Sequence, residues 1–124
     1  MCGIAGFWNT RLQQSPEELQ ELAASMVTTL RHRGPDDHGV WCDAGCGIAL
    51  GHQRLSIIDL SASGHQPMVS ADGRWVMTYN GEVYNHRELR PAIEGRGIRF
   101  RSHSDTEVLL EAIACWGLED ALRR

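Results

Sequence analysis

Met1-Cys2-Gly3-Ile4-Ala5-Gly6-Phe7-Trp8 opens the chain, and what this octapeptide is decides what kind of fold follows. An apolar run with two glycines reads as a buried strand that happens to carry a cysteine. If Met1 is removed, Cys2 bears a free α-amine beside its thiol, a nucleophile and a base on one residue. The octapeptide alone favours the plain strand. The remaining residues have to weigh against it.

A chain of 124 residues forms one domain that buries about two-thirds of its unfolded surface. Hydrophobic residues make up 42% and charged residues 23%, an ordinary balance for a globular protein. Net charge is −4 and lysine is absent. The arginines are scattered among acids, which argues against a nucleic-acid partner. No apolar run approaches the ~18 residues of a membrane span, so no membrane partner is expected. Asn9 and Arg11 interrupt the first strand too soon for a signal peptide.

Four cysteines are present, Cys2, Cys42, Cys46 and Cys115. Cys42-Asp43-Ala44-Gly45-Cys46 lacks zinc-knuckle spacing and no second pair follows. Cys42, Cys46 and Cys115 therefore read as structural thiols in a reducing cytoplasm, and no metal is expected. The six histidines (His32, His38, His52, His65, His86, His103) show no metal-ligand spacing and no Cys/His signature. They read as surface or hydrogen-bonded structural residues.

Ser15-Pro16-Glu17-Glu18 starts a helix with a cap, a first-turn proline and a capping box. Leu19, Leu22, Ala23, Met26, Val27 and Leu30 recur at helical spacing and predict one buried face. Gly34-Pro35 stops the helix. Strands are expected from Val40 to Ile58 around a turn at 43–45, then a loop over 61–66, and a hairpin at Asp72-Gly73 leading into Trp75–Tyr79. A helix over 86–94 contains Pro91, which should kink or shorten it. A short strand at 98–101 precedes a second capping box, Ser104-Asp105-Thr106-Glu107. This opens a helix carrying Val108, Leu109, Ala112, Ile113 and Trp116 and closed by Gly117. Leu118 begins something new.

Three clusters carry chemistry. In Gly51-His52-Gln53-Arg54-Leu55-Ser56-Ile57-Ile58-Asp59, a lone arginine in an apolar strand needs an anion. An internal salt bridge supplies one, and so does a ligand carboxylate gripped by both guanidinium edges. In Tyr79-Asn80-Gly81-Glu82-Val83-Tyr84-Asn85, Asn-Gly is first a turn signal. An asparagine amide beside a glycine N–H is also a pair of oxyanion donors. The third cluster is 104–107, where Asp105 is surplus to capping and free to meet an amine.

Together these stretches resemble the glutaminase domain of class II glutamine amidotransferases, within the N-terminal-nucleophile (Ntn) hydrolases, on the asparagine synthetase branch. Met1–Gly6, Arg31-His32-Arg33-Gly34-Pro35-Asp36, Gly51–Asp59, Asn80-Gly81-Glu82-Val83-Tyr84-Asn85-His86 and Ser104–Val108 match in order. The resemblance implies an α+β fold, a four-layer αββα sandwich of antiparallel sheets, with residues 1–124 a partial domain lacking its C-terminal remainder. It implies Cys2 as nucleophile, and Asn80 and Gly81 as oxyanion donors. Arg54 would hold the substrate α-carboxylate, with Leu55, Ser56, Ile57 and Ile58 as pocket wall. Glu82 and Asp105 would meet the α-amine.

Glutamine is then the substrate and its pocket needs what these residues supply: one cation, one or two anions, two oxyanion donors and a nucleophile. An α-amine has a reference pKa of roughly 7.7–8.0 and can serve as base near neutrality. With Met1 in place that nitrogen is an amide and the form is inactive. A further synthetase domain, receiving ammonia and using ATP and Mg²⁺ to amidate a carboxylate, is implied outside this stretch. No Ser-Gly-Gly-x-Asp-Ser loop occurs here. Aspartate is the expected acceptor, a sugar uronic acid the alternative, and a homodimer is admitted. A non-catalytic module retaining the fold is the rival from another class.

Overall fold

A computed structural model describes residues 1–11, 13–56 and 62–124. The chain is α+β and divides into two compact units. Of the described residues, the first holds 1–11, 13–56, 65–67 and 78–80, and the second holds 62–64, 68–77 and 81–124.

In the first unit β1 (Gly3–Trp8), β2 (Asp37–Asp43) and β3 (Ile48–Arg54) form an antiparallel sheet with β3 in the centre. Gly3 pairs with Gln53 and Trp8 with Ile48 on one side of β3. On its other side Asp37 pairs with Arg54 and Asp43 with Ile48. The β2–β3 turn falls where Asp43-Ala44-Gly45 predicts it. Helix α1 (Pro16–Thr29) begins at Ser15 with the expected capping box, in which Ser15 Oγ accepts from the Glu18 N–H and Glu18 accepts from the Ser15 N–H.

Leu19, Ala23 and Val27, four residues apart, form the buried stripe of α1. Each fully buried leucine or valine there contributes about 1.5–3 kcal/mol. Val27 lies so close over Gly51 that a side chain at 51 would overlap it. Leu22, expected on this face, stands exposed on its flank, because only the 19–23–27 stripe meets the sheet.

The second unit packs α2 (His86–Glu94), α3 (Asp105–Trp116) and α4 (Leu118–Leu122) around Ile93, Val108, Ala112, Ile113 and Ala121. Strands β4 (Met68–Val69) and β5 (Val76–Met77) form its hairpin, with Gly73 at positive φ in the turn. The predicted strand over 75–79 is thus only two residues long. Pro91 lies inside α2, which ends three residues later.

Residues 98–101 do not form the expected strand. The Arg101 and Ser102 N–H groups are taken by the Glu107 carboxylate at 2.8 and 2.7 Å, which leaves them nothing to offer a strand partner. The same bonds undo the second capping box. Ser104 Oγ caps α3 by accepting from Thr106 N–H, but the Ser104 N–H donates to Ser102 Oγ, so Glu107 does not turn back to it.

Candidate active site

Cys2, Arg54, Leu55, Ser56 and Asn80 all belong to the first unit. Cys2 stands immediately before β1 and is half-buried. The Leu55 N–H donates to Cys2 Sγ at 3.3 Å, and the Sγ lies 3.7 Å from the Leu55 carbonyl oxygen. The thiol therefore sits at the end of β3, beside Arg54. The antiparallel ladder positions it there: Gly3 pairs with Gln53, which carries the residue before Gly3 to the strand end.

Arg54 is the last residue of β3 and is buried, 7% exposed. It shares a face of the sheet with His52, two residues earlier, and lies opposite Asp37 in register. The expected strand beyond it does not continue through Leu55 and Ser56. Ile57, Ile58 and Asp59 lie outside the described residues.

The Arg31–Asp36 motif explains how residues 54–56 are held. Gly34 is buried against the Arg54 carbonyl and the Leu55 nitrogen, so closely that any Cβ would overlap that backbone. Its carbonyl accepts a hydrogen bond from Gln53 Nε2. The Asp36 N–H donates to the Arg54 carbonyl at 3.1 Å, and the Ser56 N–H donates to Asp36 Oδ2 at 2.8 Å. From sequence, Gly34-Pro35 is expected only to stop the first helix. The motif's task is to grip the backbone next to Cys2.

Asn80 is exposed and ends the 78–80 segment. Just before it, the Tyr79 N–H donates to Gln66 Oε1 at 2.7 Å, and Thr78 Oγ1 lies 2.9 Å from His52 Nδ1. His52 is fully buried, and its Nε2 has no hydrogen-bond partner among the described residues. Burial, and then the Arg54 guanidinium, push its pKa down to about 4, against a smaller opposing pull from Asp37. The imidazole is neutral at pH 7.

Gly81, Glu82 and Asp105 belong to the second unit. Gly81 and Glu82 are exposed. Asp105 is buried at the first position of α3, and it is not the free acid that its surplus over the capping pair suggests. Its Oδ2 accepts from the Val83 N–H at 2.8 Å and its Oδ1 from the Thr106 N–H at 2.9 Å. A carboxylate at a helix N-terminus meets unpaired N–H groups, and Asp105 spends one oxygen on such a group and the other on the 81–83 loop.

The described residues contain no helix long and apolar enough to cross a membrane. No group of three or more His, Cys, Asp or Glu among them is arranged to hold a metal ion.

Residues 1–124 match the glutamine amidotransferase domain family over their whole length. The chain is 41% identical over 110 residues to asparagine synthetase (glutamine-hydrolyzing) 1 of Bacillus subtilis (strain 168), a match covering 89% of this chain and 17% of that protein. It is 40% identical over 118 residues to asparagine synthetase (glutamine-hydrolyzing) 3 of the same organism, covering 94% and 18%. To asparagine synthetase B (glutamine-hydrolyzing) of Escherichia coli (strain K12) it is 39% identical over 110 residues, covering 89% and 19%. The chain thus spans less than a fifth of the length of these relatives. With the family matched from the first residue to the last, this chain belongs to the glutamine amidotransferase domain family.

Proposed function

We propose that the protein hydrolyses glutamine to glutamate and ammonia with Cys2 as nucleophile, once Met1 has been removed. Met1 is exposed and cysteine is a small second residue, so the N-terminus suits that processing. The observation that carries the reading is the position of Cys2 Sγ at the end of β3, against the Leu55 backbone and beside buried Arg54, in a chain of this family.

In the reaction the Cys2 α-amine takes the thiol proton and the sulfur attacks the glutamine side-chain carbonyl carbon. Asn80 and the Gly81 N–H donate to the oxyanion that forms. The carbon–nitrogen bond breaks, the amine returns its proton to the departing nitrogen, and ammonia leaves a γ-glutamyl thioester. Water attacks that thioester, releasing glutamate and the thiol. Arg54 holds the α-carboxylate, with Leu55 and Ser56 beside it. Glu82 and Asp105 meet the α-amine, Asp105 through lone pairs left over from its two backbone bonds.

The relatives carry the name asparagine synthetase, and in this reading ammonia goes to a carboxylate acceptor, aspartate, in a synthetase part of the protein. ATP and Mg²⁺ would serve that part. Helix α1 and the antiparallel sheet beneath it would be two layers of the αββα sandwich. Substituting Cys2→Ala tests the reading: glutamine-dependent turnover disappears while ammonia-dependent synthesis by the intact protein persists. Loss of both activities, or survival of the first, overturns it. Intact-mass measurement showing Met1 on a fully active enzyme removes the proposed base.

A further inference from the structure

The residues 78–80 are a short piece of chain between two stretches of the second unit, yet they belong to the first. Two hydrogen bonds account for that, both made by buried side chains. His52, two residues before the end of β3, reaches Thr78 Oγ1 through Nδ1 at 2.9 Å. Gln66, 7% exposed, accepts from the Tyr79 N–H at 2.7 Å. Gln66 is itself fixed, because its carbonyl and the ring of neighbouring His65 crowd Gly39 of β2 where a Cβ would stand. The His65 ring also bonds Asp37 Oδ2 at 2.9 Å. Thr78 is therefore bonded to β3 itself, and Tyr79 to Gln66, which packs against β2.

The protonation of His52 follows from its surroundings. Its Nε2 is fully buried with no partner among the described residues. A neutral imidazole carries one N–H and one lone pair, so either nitrogen can be the donor. Nδ1 and Thr78 Oγ1 make the bond in either tautomer, the ring or the hydroxyl donating. Burial and the adjacent Arg54 guanidinium keep the ring neutral, so the bond is made by an uncharged ring across the neutral range.

We infer that His52 and Thr78 are positioning residues for the glutaminase reaction, holding the segment that ends in Asn80 so that its amide meets the oxyanion. This rests on the reading of Asn80 as an oxyanion donor. Neither residue touches substrate. Their effect is on where Asn80 stands when charge develops, and a small misplacement of such a donor is expensive in rate but not in ground-state binding.

The test is steady-state glutaminase kinetics on the intact protein. Thr78→Val keeps shape and loses the hydroxyl, and should lower kcat about ten-fold with KM changed less than about two-fold. Thr78→Ser restores the hydroxyl and should restore kcat. In the imidazole Nδ1 is bonded to Cγ, as the amide atoms of asparagine are, so His52→Asn should retain more activity than His52→Gln. Adding Thr78→Val to Asn80→Ala should cost nothing further, because the first acts only through the second.

Unchanged kcat in Thr78→Val, with Asn80→Ala still crippled, overturns the positioning role and leaves the oxyanion reading standing. Additive losses in the double variant also overturn it, since they mean that Thr78 acts elsewhere. If Asn80→Ala itself is fully active, it is the oxyanion reading that fails. Thermal melts of each variant separate misfolding from misplacement, and Thr78→Ser folded but as slow as Thr78→Val counts against the inference.

Discussion

The end of β3 and the start of α3 both carry residues of the proposed glutamine pocket, but they hold them by different means. At the end of β3 the backbone is set by ladder bonds and by the Gly34–Asp36 grip, which involve no atom of the Cys2 or Arg54 side chains. At the start of α3 the Asp105 carboxylate is itself the tie, joining the Val83 N–H to the helix. Where backbone bonds do most of the holding, replacing a side chain disturbs its surroundings less, although the Cys2 sulfur itself meets the Leu55 N–H. Where the functional side chain does the holding, chemistry and stability are coupled, and a substitution there disturbs both.

The contrast is broken most severely at Asn80, whose segment belongs with the sheet. Asn80→Ala should reduce kcat by ~10²–10³ with little change in KM, and without lowering the melting temperature. Asn80→Asp should be at least as damaging, because it sets a carboxylate against the forming negative charge. An active Asn80→Asp enzyme would leave Asn80 with only a turn to support.

Arg54 sharpens the comparison from the binding side. Because the α-carboxylate is remote from the bond being broken, Arg54→Ala should raise KM by roughly 10–10²-fold, the worth of a charged hydrogen bond, and leave kcat nearly intact. A KM that does not move, together with a lower melting temperature, would make Arg54 an internal ion-pair residue opposite Asp37.

Asp105 should behave in the opposite way. Asp105→Ala strips an acceptor from two backbone N–H groups and should cost about 2–3 kcal/mol of stability, seen as an earlier thermal or urea transition, alongside weaker glutamine binding. A variant that binds glutamine poorly yet melts normally would show that the tie to Val83 is dispensable, and the contrast would fall.

The smallest effect concerns pH. His52 has a folded pKa of about 4 against an ordinary 6.5. Between those values the unfolded chain binds a proton that the folded chain does not, so stability falls as pH falls through that window. Between about pH 6.5 and 5 this amounts to about 1.5 kcal/mol. His52→Asn should lose that part of the dependence, and parallel melts of the two proteins across the window measure it. Identical pH profiles would mean that the ring is solvated enough to ionise.

Local patterns were legible from the residues themselves. Ser15-Pro16-Glu17-Glu18 predicts a capped helix, and the cap forms because all its partners lie within one turn. Gly73 and Gly117 mark a turn and a helix end, and both take positive φ. The order of motifs pointed to the family through Cys2, Arg54 and Asn80-Gly81 before any distance was known. These inferences rest on contacts between near neighbours in sequence, or on residue identity.

What only the tertiary structure decided involves groups far apart in the chain. Glu107 had a local partner at Ser104 and left it for the Arg101 and Ser102 N–H groups, because Ser102 Oγ had already claimed the Ser104 N–H. That one choice removed a predicted capping box and occupied the last N–H of a predicted strand. His52 was one of six histidines with no distinguishing pattern, and it became the buried partner of Thr78, 26 residues away. Gly34 looked like a helix stop and proved to be the only kind of residue that fits against the Arg54–Leu55 backbone. A sequence states which hydrogen bonds a residue is able to make. Which of them it makes depends on the competing donors and acceptors that folding brings within 3 Å, and on the water that burial takes away.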